Sequence, residues 1–224
     1  MTRLVILRPE PGASATAAAA RELGLEPVRL PLFAIEPVAW RAPDPGAFEA
    51  LLLTSANALR HGRAELDRLR NLPAHCVGEA TAAAAREAGL TVASTGTAGV
   101  DALLDCLPPG IRLLHLCGAD RREPQAPQQA ITAVPVYRAV AIEPGDAIRS
   151  IDGAVVAVHS PRSAARLSAL ADSLGLNRQT IGIAAISDDA AGAAGPGWRT
   201  VEAATEPSDR ALLALAARLC NKPG

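Results

Sequence analysis

Short runs of leucine and β-branched residues alternate along the chain with longer stretches in which alanine or leucine recurs every three or four positions. These two periods predict strands and helices in alternation. Arg3 to Leu7 reads as a strand; after a Pro/Gly turn comes an alanine helix that stops near Leu23-Gly24, where glycine is the expected end signal. Val28 to Pro37 is extended and proline-marked. Next come strand Ala50 to Leu53, helix Ala56 to Leu69, strand His75 to Val77, helix Glu79 to Ala88, strand Thr91 to Ala93, helix Val100 to Leu107 and strand Arg112 to Leu116. A second proline-marked stretch, Val134 to Pro144, precedes strand Ala154 to Val158 and helix Arg162 to Ser173. The pattern closes with strand Thr180 to Ala184, a small-residue turn or helix from Asp188, strand Arg199 to Glu202 and helix Asp209 to Leu219. Such alternation implies an α/β fold with parallel sheets covered by helices on both faces.

The pattern also repeats. Ala-Ile-Glu-Pro stands at Ala34 to Pro37 and again at Ala141 to Pro144, inside longer similar segments. Thr54-Ser55-Ala56-Asn57 parallels His159-Ser160-Pro161-Arg162, the segment from Val100 to Leu104 parallels that from Asp209 to Leu213, and Leu4 to Pro9 parallels Leu113 to Gly118. A tandem duplication into two similar α/β lobes explains all four matches. The lobes can be laid out in two ways. Either the halves fold one after the other, or the first strand and helix pack with the C-terminal half while the middle of the chain forms its own lobe. In the second layout the two proline-marked segments run side by side as a hinge.

Composition narrows the function classes. The chain has 224 residues, of which 49% are hydrophobic, but 49 residues are alanine, so almost half of the apolar content is the smallest side chain. Only Phe33, Phe48, Trp40, Trp198 and Tyr137 are aromatic, too few for a base-stacking platform. Lys222 is the one lysine beside 21 arginines, which argues against a Schiff-base or phosphate-loop lysine. A formal net charge of -1 offers no basic patch for nucleic acid or an anionic membrane. Cys76, Cys106, Cys117 and Cys220 have no CxxC spacing and read as reduced residues of a cytoplasmic protein. The first residues lack a signal-peptide core, and no apolar run reaches the about 20 residues of a membrane span.

In open parallel sheets ligands bind where strands end and helices begin. Four such junctions carry small or capping residues: Ser55-Ala56-Asn57, Gly78 to Thr81, Ser160 to Ser163 with Arg162 between, and Ser187-Asp188-Asp189. Each presents backbone N–H groups at the positive end of a helix, suited to a carboxylate or phosphate. Ordinary N-capping explains the same serines and threonines, so the argument rests on several junctions acting together. Arg8 and Arg138 are candidate carboxylate partners, although an arginine in so arginine-rich a chain is commonly a solvated surface residue. Tyr137, the one tyrosine, sits on the second proline-marked segment, where simple packing is its alternative role. Competing motifs are weak. Neither GxGxxG nor a P-loop is present, and no serine lies in a GxSxG elbow. His115 and Cys117 share a strand face but lack a second pair for a metal. His159 points to the opposite strand face from Ser160, so it is not that serine's base.

Several of these segments, taken in order, resemble the uroporphyrinogen-III synthase family: Leu4-Val-Ile-Leu-Arg-Pro9, Leu52-Leu-Thr-Ser-Ala-Asn57, Val77-Gly-Glu-Ala-Thr81 with Ala88-Gly89, Val136-Tyr-Arg138, and Ser160-Pro161. The resemblance covers essentially the whole chain. It implies two doubly wound parallel-sheet lobes joined by a two-stranded antiparallel hinge, with the first strand and helix in the C-terminal lobe. That selects the interlaced layout: residues 1–27 with 145–224, residues 39–132, and hinge strands 28–38 and 133–144. The implied substrate is hydroxymethylbilane, a linear tetrapyrrole bearing carboxylate arms, bound between the lobes. The implied reaction removes water, inverts ring D through a spiro intermediate and closes the macrocycle to uroporphyrinogen III. No cofactor is needed, because loss of the hydroxyl itself creates the electrophile. Tyr137 matches the family's cleft tyrosine, a candidate to assist departure of that hydroxyl.

The resemblance further implies a cytoplasmic monomeric lyase of haem biosynthesis, open to transient contact with the preceding enzyme of the pathway, with no nucleic-acid or membrane partner. Two departures stand out. Ser187-Asp188-Asp189-Ala190 replaces the family's Gly-x-x-Thr, removing a threonine hydroxyl and adding carboxylates that repel substrate unless turned away; and Gly118 to Gln129 is too short for the full helix expected there. The rival readings are a two-lobed small-molecule binding or sensor protein without chemistry, and a nucleotide-dependent enzyme, the latter disfavoured by the missing glycine fingerprints.

Overall fold

The computed structural model describes residues 2–97, 99–121 and 123–221. The chain divides into two compact units, one made of the chain up to Ala34 together with the chain from Ala141 onward, the other of Ile35–Val140.

Unit one is built on a sheet of β1 (Leu4–Ile6), β2 (Pro27–Arg29), β9 (Val155–Val158), β10 (Gly182–Ala185) and β11 (Thr200–Ala203), in the order β11-β10-β9-β1-β2. The registered pairs are all parallel. Central strands β1, β9 and β10 are buried along their whole length, as apolar runs without polar alternation require of a sheet covered on both faces. On one face Leu4, Ile6, Val155 and Ala157 pack against Ala13, Ala17 and Ala20 of α1 (Gly12–Glu22) and the leucines of α7 (Asp209–Asn221). Alanine at every third or fourth position of α1 lets that helix lie close to the sheet. Helix α5 (Pro161–Ser173) packs on β9, and α6 (Asp188–Ala194) on β10.

Unit two holds β4 (Ala50–Leu53), β5 (Ala74–Val77), β6 (Val92–Gly96), β7 (Arg112–Gly118) and most of β3 (Phe33–Pro37) and β8 (Ala130–Ala141), with strand order β3-β8-β7-β4-β5-β6. Leu51 and Leu53 face one core, which includes residues of α2 (Ala56–Gly62) and α3 (Glu79–Glu87). Ala50 and Leu52, one residue out of phase, face the other, with Leu103 and Leu104 of α4 (Val100–Asp105). The order β6-β5-β4-β7-β8 repeats β11-β10-β9-β1-β2 strand for strand, in agreement with the internal sequence repeat.

Several segments differ from the periodicity reading. The stretch expected as one extended strand, Val28 to Pro37, is two: β2 pairs with β1 in one sheet and β3 with β8 in the other. The second extended stretch begins earlier, at Ala130, and its first half pairs in parallel with β7. Beyond it β8 meets β3 in the opposite sense, since Val38 N–H donates to Val136 O and Ile142 N–H to Leu32 O. The helix expected over Ala56 to Leu69 is α-helical only to Gly62 and then tightens into a 3-10 helix over Arg63–Leu69. Asp44 and Asn177 cap short 3-10 turns that hydrophobic periodicity does not detect. Between Ala119 and Gln129 no helix forms among the described residues.

Candidate active site

Because the strands of each sheet run parallel apart from the β3–β8 pair, their ends gather along one edge, and the sequence-predicted residues fall on these edges as two separate sets. Ser55, Ala56, Asn57, Gly78, Thr81, Tyr137 and Arg138 belong to unit two; Arg8, Ser160, Arg162, Ser163 and Ser187 belong to unit one.

In unit two, the position of Tyr137 follows from a β-bulge. Along β7 and β8 the pairs run from Arg112↔Ala130 to Cys117↔Pro135, then skip to Gly118↔Tyr137, leaving Val136 as the extra residue. Pro135 cannot donate to a ladder, which makes it a natural place for the pairing to break. Val136 turns fully into the core while its carbonyl accepts from Val38 N–H at 3.0 Å. Tyr137 is thereby laid over Gly118, where a Cβ would lie 2.9 Å from Cε2. The ring is half-buried, with the Ser55 side chain beside its hydroxyl. Burial raises the phenol above its usual range, an effect partly offset by Ser55 and reinforced by Cys117. At neutral pH the group is therefore a protonated donor. His61, on α2, has its ring centroid 6.3 Å from that of Tyr137 with the planes tilted by 37°. His61 carries no motif and was missed from the sequence; only the α2 periodicity that sets it one turn beyond Asn57 hinted at it.

The other unit-two junctions are more ordinary. Ser55 Oγ accepts from Asn57 N–H at 3.2 Å, an N-capping interaction of α2. Ala56 is buried as the first residue of that helix. Gly78 opens α3 with φ at 81°, a left-handed conformation that disfavours side chains, and its N–H donates to Gly96 O. Thr81 is buried in the first turn of α3. Arg138, exposed beside Tyr137, pairs with Glu36 at 3.0 Å. His115 does not sit in a metal cluster: its Nε2 lies 3.0 Å from Thr54 Oγ1, and burial, aided by Arg121, lowers its pKa to about 4. Among the described residues no group of three or more His, Cys, Asp or Glu side chains is placed to hold a metal ion.

In unit one, Ser160 caps α5 by accepting from Ser163 N–H at 3.2 Å, with Pro161 at the first helical position, where proline is favoured. Ser163 is buried behind it, and the Arg162 guanidinium stands 4.6 Å from the Phe33 ring centroid. Ser187 caps α6 through Ala190 N–H, with Asp188 and Asp189 in the first turn. The structure changes the expectation for Arg8. Its Nη1 reaches both carboxylate oxygens of Asp209 at 2.8 Å and Thr16 Oγ1 at 3.1 Å, so its charge is met within the chain rather than free for a substrate arm. Thr16 completes the knot by donating to Asp209 Oδ2 at 2.7 Å. Asp209 titrates well below the usual carboxylate range despite burial, held down by His159, Thr16 and Arg8. His159 is buried with Nε2 3.5 Å from Asp209, and desolvation lowers its pKa. Asp209 and Thr16 went unsuspected because each reads alone as a helix residue.

Two α/β units with repeated strand order, each gathering helix N-termini at one sheet edge and one carrying a half-buried tyrosine, define the class to which the protein belongs. A family model described as uroporphyrinogen-III synthase HemD matches residues 14–214. No curated protein sequence matches the chain. Among solved structures, uroporphyrinogen-III synthetase from Helicobacter pylori is 16% identical, with a TM-score of 0.64 over 98% of this chain and 100% of that one. A mutant uroporphyrinogen III synthase from Thermus thermophilus is 18% identical, with a TM-score of 0.55 over 99% and 100%. At these identities the likeness is one of fold. The chain belongs to the uroporphyrinogen-III synthase family, cyclising lyases of tetrapyrrole and haem biosynthesis. Among the described residues no helix is long and apolar enough to cross a membrane.

Proposed function

We propose that the protein acts as a monomer on hydroxymethylbilane, with Tyr137 as the residue that assists departure of the hydroxyl. The observation that carries this reading is the placement of the chain's one tyrosine, half-buried over Gly118 and beside Ser55 at the C-terminal edge of the unit-two sheet. A phenol whose ionisation is suppressed by burial donates a hydrogen bond to a leaving oxygen and does not compete as a base. The hydroxyl leaves with a proton as water, giving an electrophilic azafulvene. Closure through the substituted carbon of ring D then requires the chain to be held folded, so that this route outruns direct closure.

The carboxylate arms are assigned to the junctions at Ser55-Ala56-Asn57, Gly78 to Thr81, Ser160 to Ser163 and Ser187, where backbone N–H groups and helix N-termini attract anions. Each such end contributes about 0.3 to 1 kcal/mol, so several act together. Arg8 and Arg138, whose cations already face Asp209 and Glu36, serve in this proposal by shaping the edge rather than as free anion clamps. The proposed layout keeps two lobes and narrows the hinge to β3 and the second half of β8, since Val28 and Arg29 pair with β1.

Tyr137→Phe tests the role of the hydroxyl. Turnover is expected to fall by about ten- to a hundredfold while the melting temperature stays within a few degrees of the parent protein. Unchanged turnover would remove Tyr137 from the mechanism.

A further inference from the structure

The Tyr137 ring has to be held as well as placed. Gly118 supplies room beneath its Cε2, Cζ and hydroxyl, and the β8 bulge supplies the backbone position. Tyr137 also packs against the unit-two apolar core, yet stays only half-buried. One further ring contacts it, that of His61. His61 also lines a cavity of about 340 Å³ with Pro37, Trp40 and Glu65, so a side chain truncated at this position would leave unfilled space rather than be replaced by neighbours. The cavity is part of unit two, as are Tyr137, Gly118 and Ser55. Helix α2 links the parts: it begins just after Ser55, which lies beside the Tyr137 hydroxyl, and carries His61 in its last turn. One short helix and the residue before it therefore approach Tyr137 from two sides, near its hydroxyl and at its ring.

We infer that His61 is a positioning residue for Tyr137, its ring fixing the phenol in the orientation that Gly118 and Ser55 make available. The inference rests on the reading of Tyr137 as the residue that assists hydroxyl departure. Tilted aromatic pairs with centroids between about 4.5 and 7 Å are mutually attractive, which suits His61 to holding a ring without bonding to its hydroxyl. A small displacement of a catalytic group can cost up to about a hundredfold in rate, so loss of this contact should appear in turnover rather than in substrate affinity.

The experiment uses His61→Gln and His61→Ala in the full chain, with Tyr137→Phe and the His61→Gln/Tyr137→Phe pair for comparison. Both His61 variants are expected to lower kcat about tenfold, with KM within about twofold and melting temperature nearly unchanged. His61→Phe, which restores a ring, recovers most of the loss. In the Tyr137→Phe background His61→Gln costs nothing further, because the group it positions is already disabled. Tyrosine labelled with carbon-13 at Cζ gives one resonance, since Tyr137 is the sole tyrosine, and that signal should move toward the solvent-exposed value in His61→Gln. An unchanged kcat in the His61 variants alongside a slowed Tyr137→Phe would overturn the inference, as would a full additional loss in the double variant. Unchanged turnover in Tyr137→Phe would instead refute the reading beneath it, with the resonance still reporting whether His61 holds the ring.

Discussion

Gly118 and Tyr137 occupy one space: a Cβ on residue 118 would stand 2.9 Å from Tyr137 Cε2 and 3.1 Å from its hydroxyl oxygen. The clash is with Cε2, Cζ and the hydroxyl, the far end of the ring that carries the chemistry. Gly118→Ala is therefore expected to push the phenol aside and to cost about 1 to 3 kcal/mol of stability. Turnover should fall at least tenfold, measured by steady-state kinetics at a temperature where circular dichroism shows the variant folded. A variant with parental stability and turnover would show that the ring does not need its observed position.

The Arg8–Asp209–Thr16 knot ties the end of β1 to α1 and to the start of α7. Asp209 has its pKa depressed by folding, so its contribution to stability is present above the unfolded value near 3.8 and is lost as pH falls below it. The Asp209 side chain is 39% exposed, so screening reduces the benefit, and Asp209→Asn should cost about 1 to 2 kcal/mol at neutral pH. Chemical denaturation at pH 7 and at pH 3 measures both effects. The variant's deficit should shrink at the lower pH. A double-mutant cycle with Arg8→Ala should return a coupling of about 1 kcal/mol.

His115 predicts a dependence at milder acidity. Buried beside Thr54, its pKa is lowered from 6.5 to about 4, while the unfolded chain binds its proton near 6.5. Between these values the unfolded state carries more protons, so stability falls as pH is lowered from 6.5 to 4, by roughly 3 kcal/mol from this residue. Burial lowers His75 and His159 too, adding to the same trend. His115→Gln, which keeps a hydrogen-bonding partner for Thr54, should flatten the slope over that interval in urea melts. A slope identical to the parent's would mean that the ring charges without penalty.

Periodicity carried most of the fold because the central strands are apolar on both faces and the helices are alanine-patterned, so β4 and β9 fall within a residue of the expected runs. The repeat of strand order was legible in matches such as Ala34–Pro37 with Ala141–Pro144. What stayed hidden depends on partners distant in sequence. Arg8 lies 201 residues from the carboxylate that neutralises it, and no local pattern could have paired them. Pro135 was visible as a ladder breaker, but that the break would lift Tyr137 over Gly118 depends on the register of β7 against β8. The split of Val28 to Pro37 between two sheets likewise reflects competition between edges, which residue preference does not resolve.

The most direct test of the account supplies hydroxymethylbilane to the purified protein and resolves the oxidised porphyrin isomers chromatographically. The account predicts that the type III isomer dominates and forms faster than spontaneous closure, and that its yield drops toward the type I background in Tyr137→Phe. Only type I porphyrin, at the spontaneous rate with and without the protein, would contradict it.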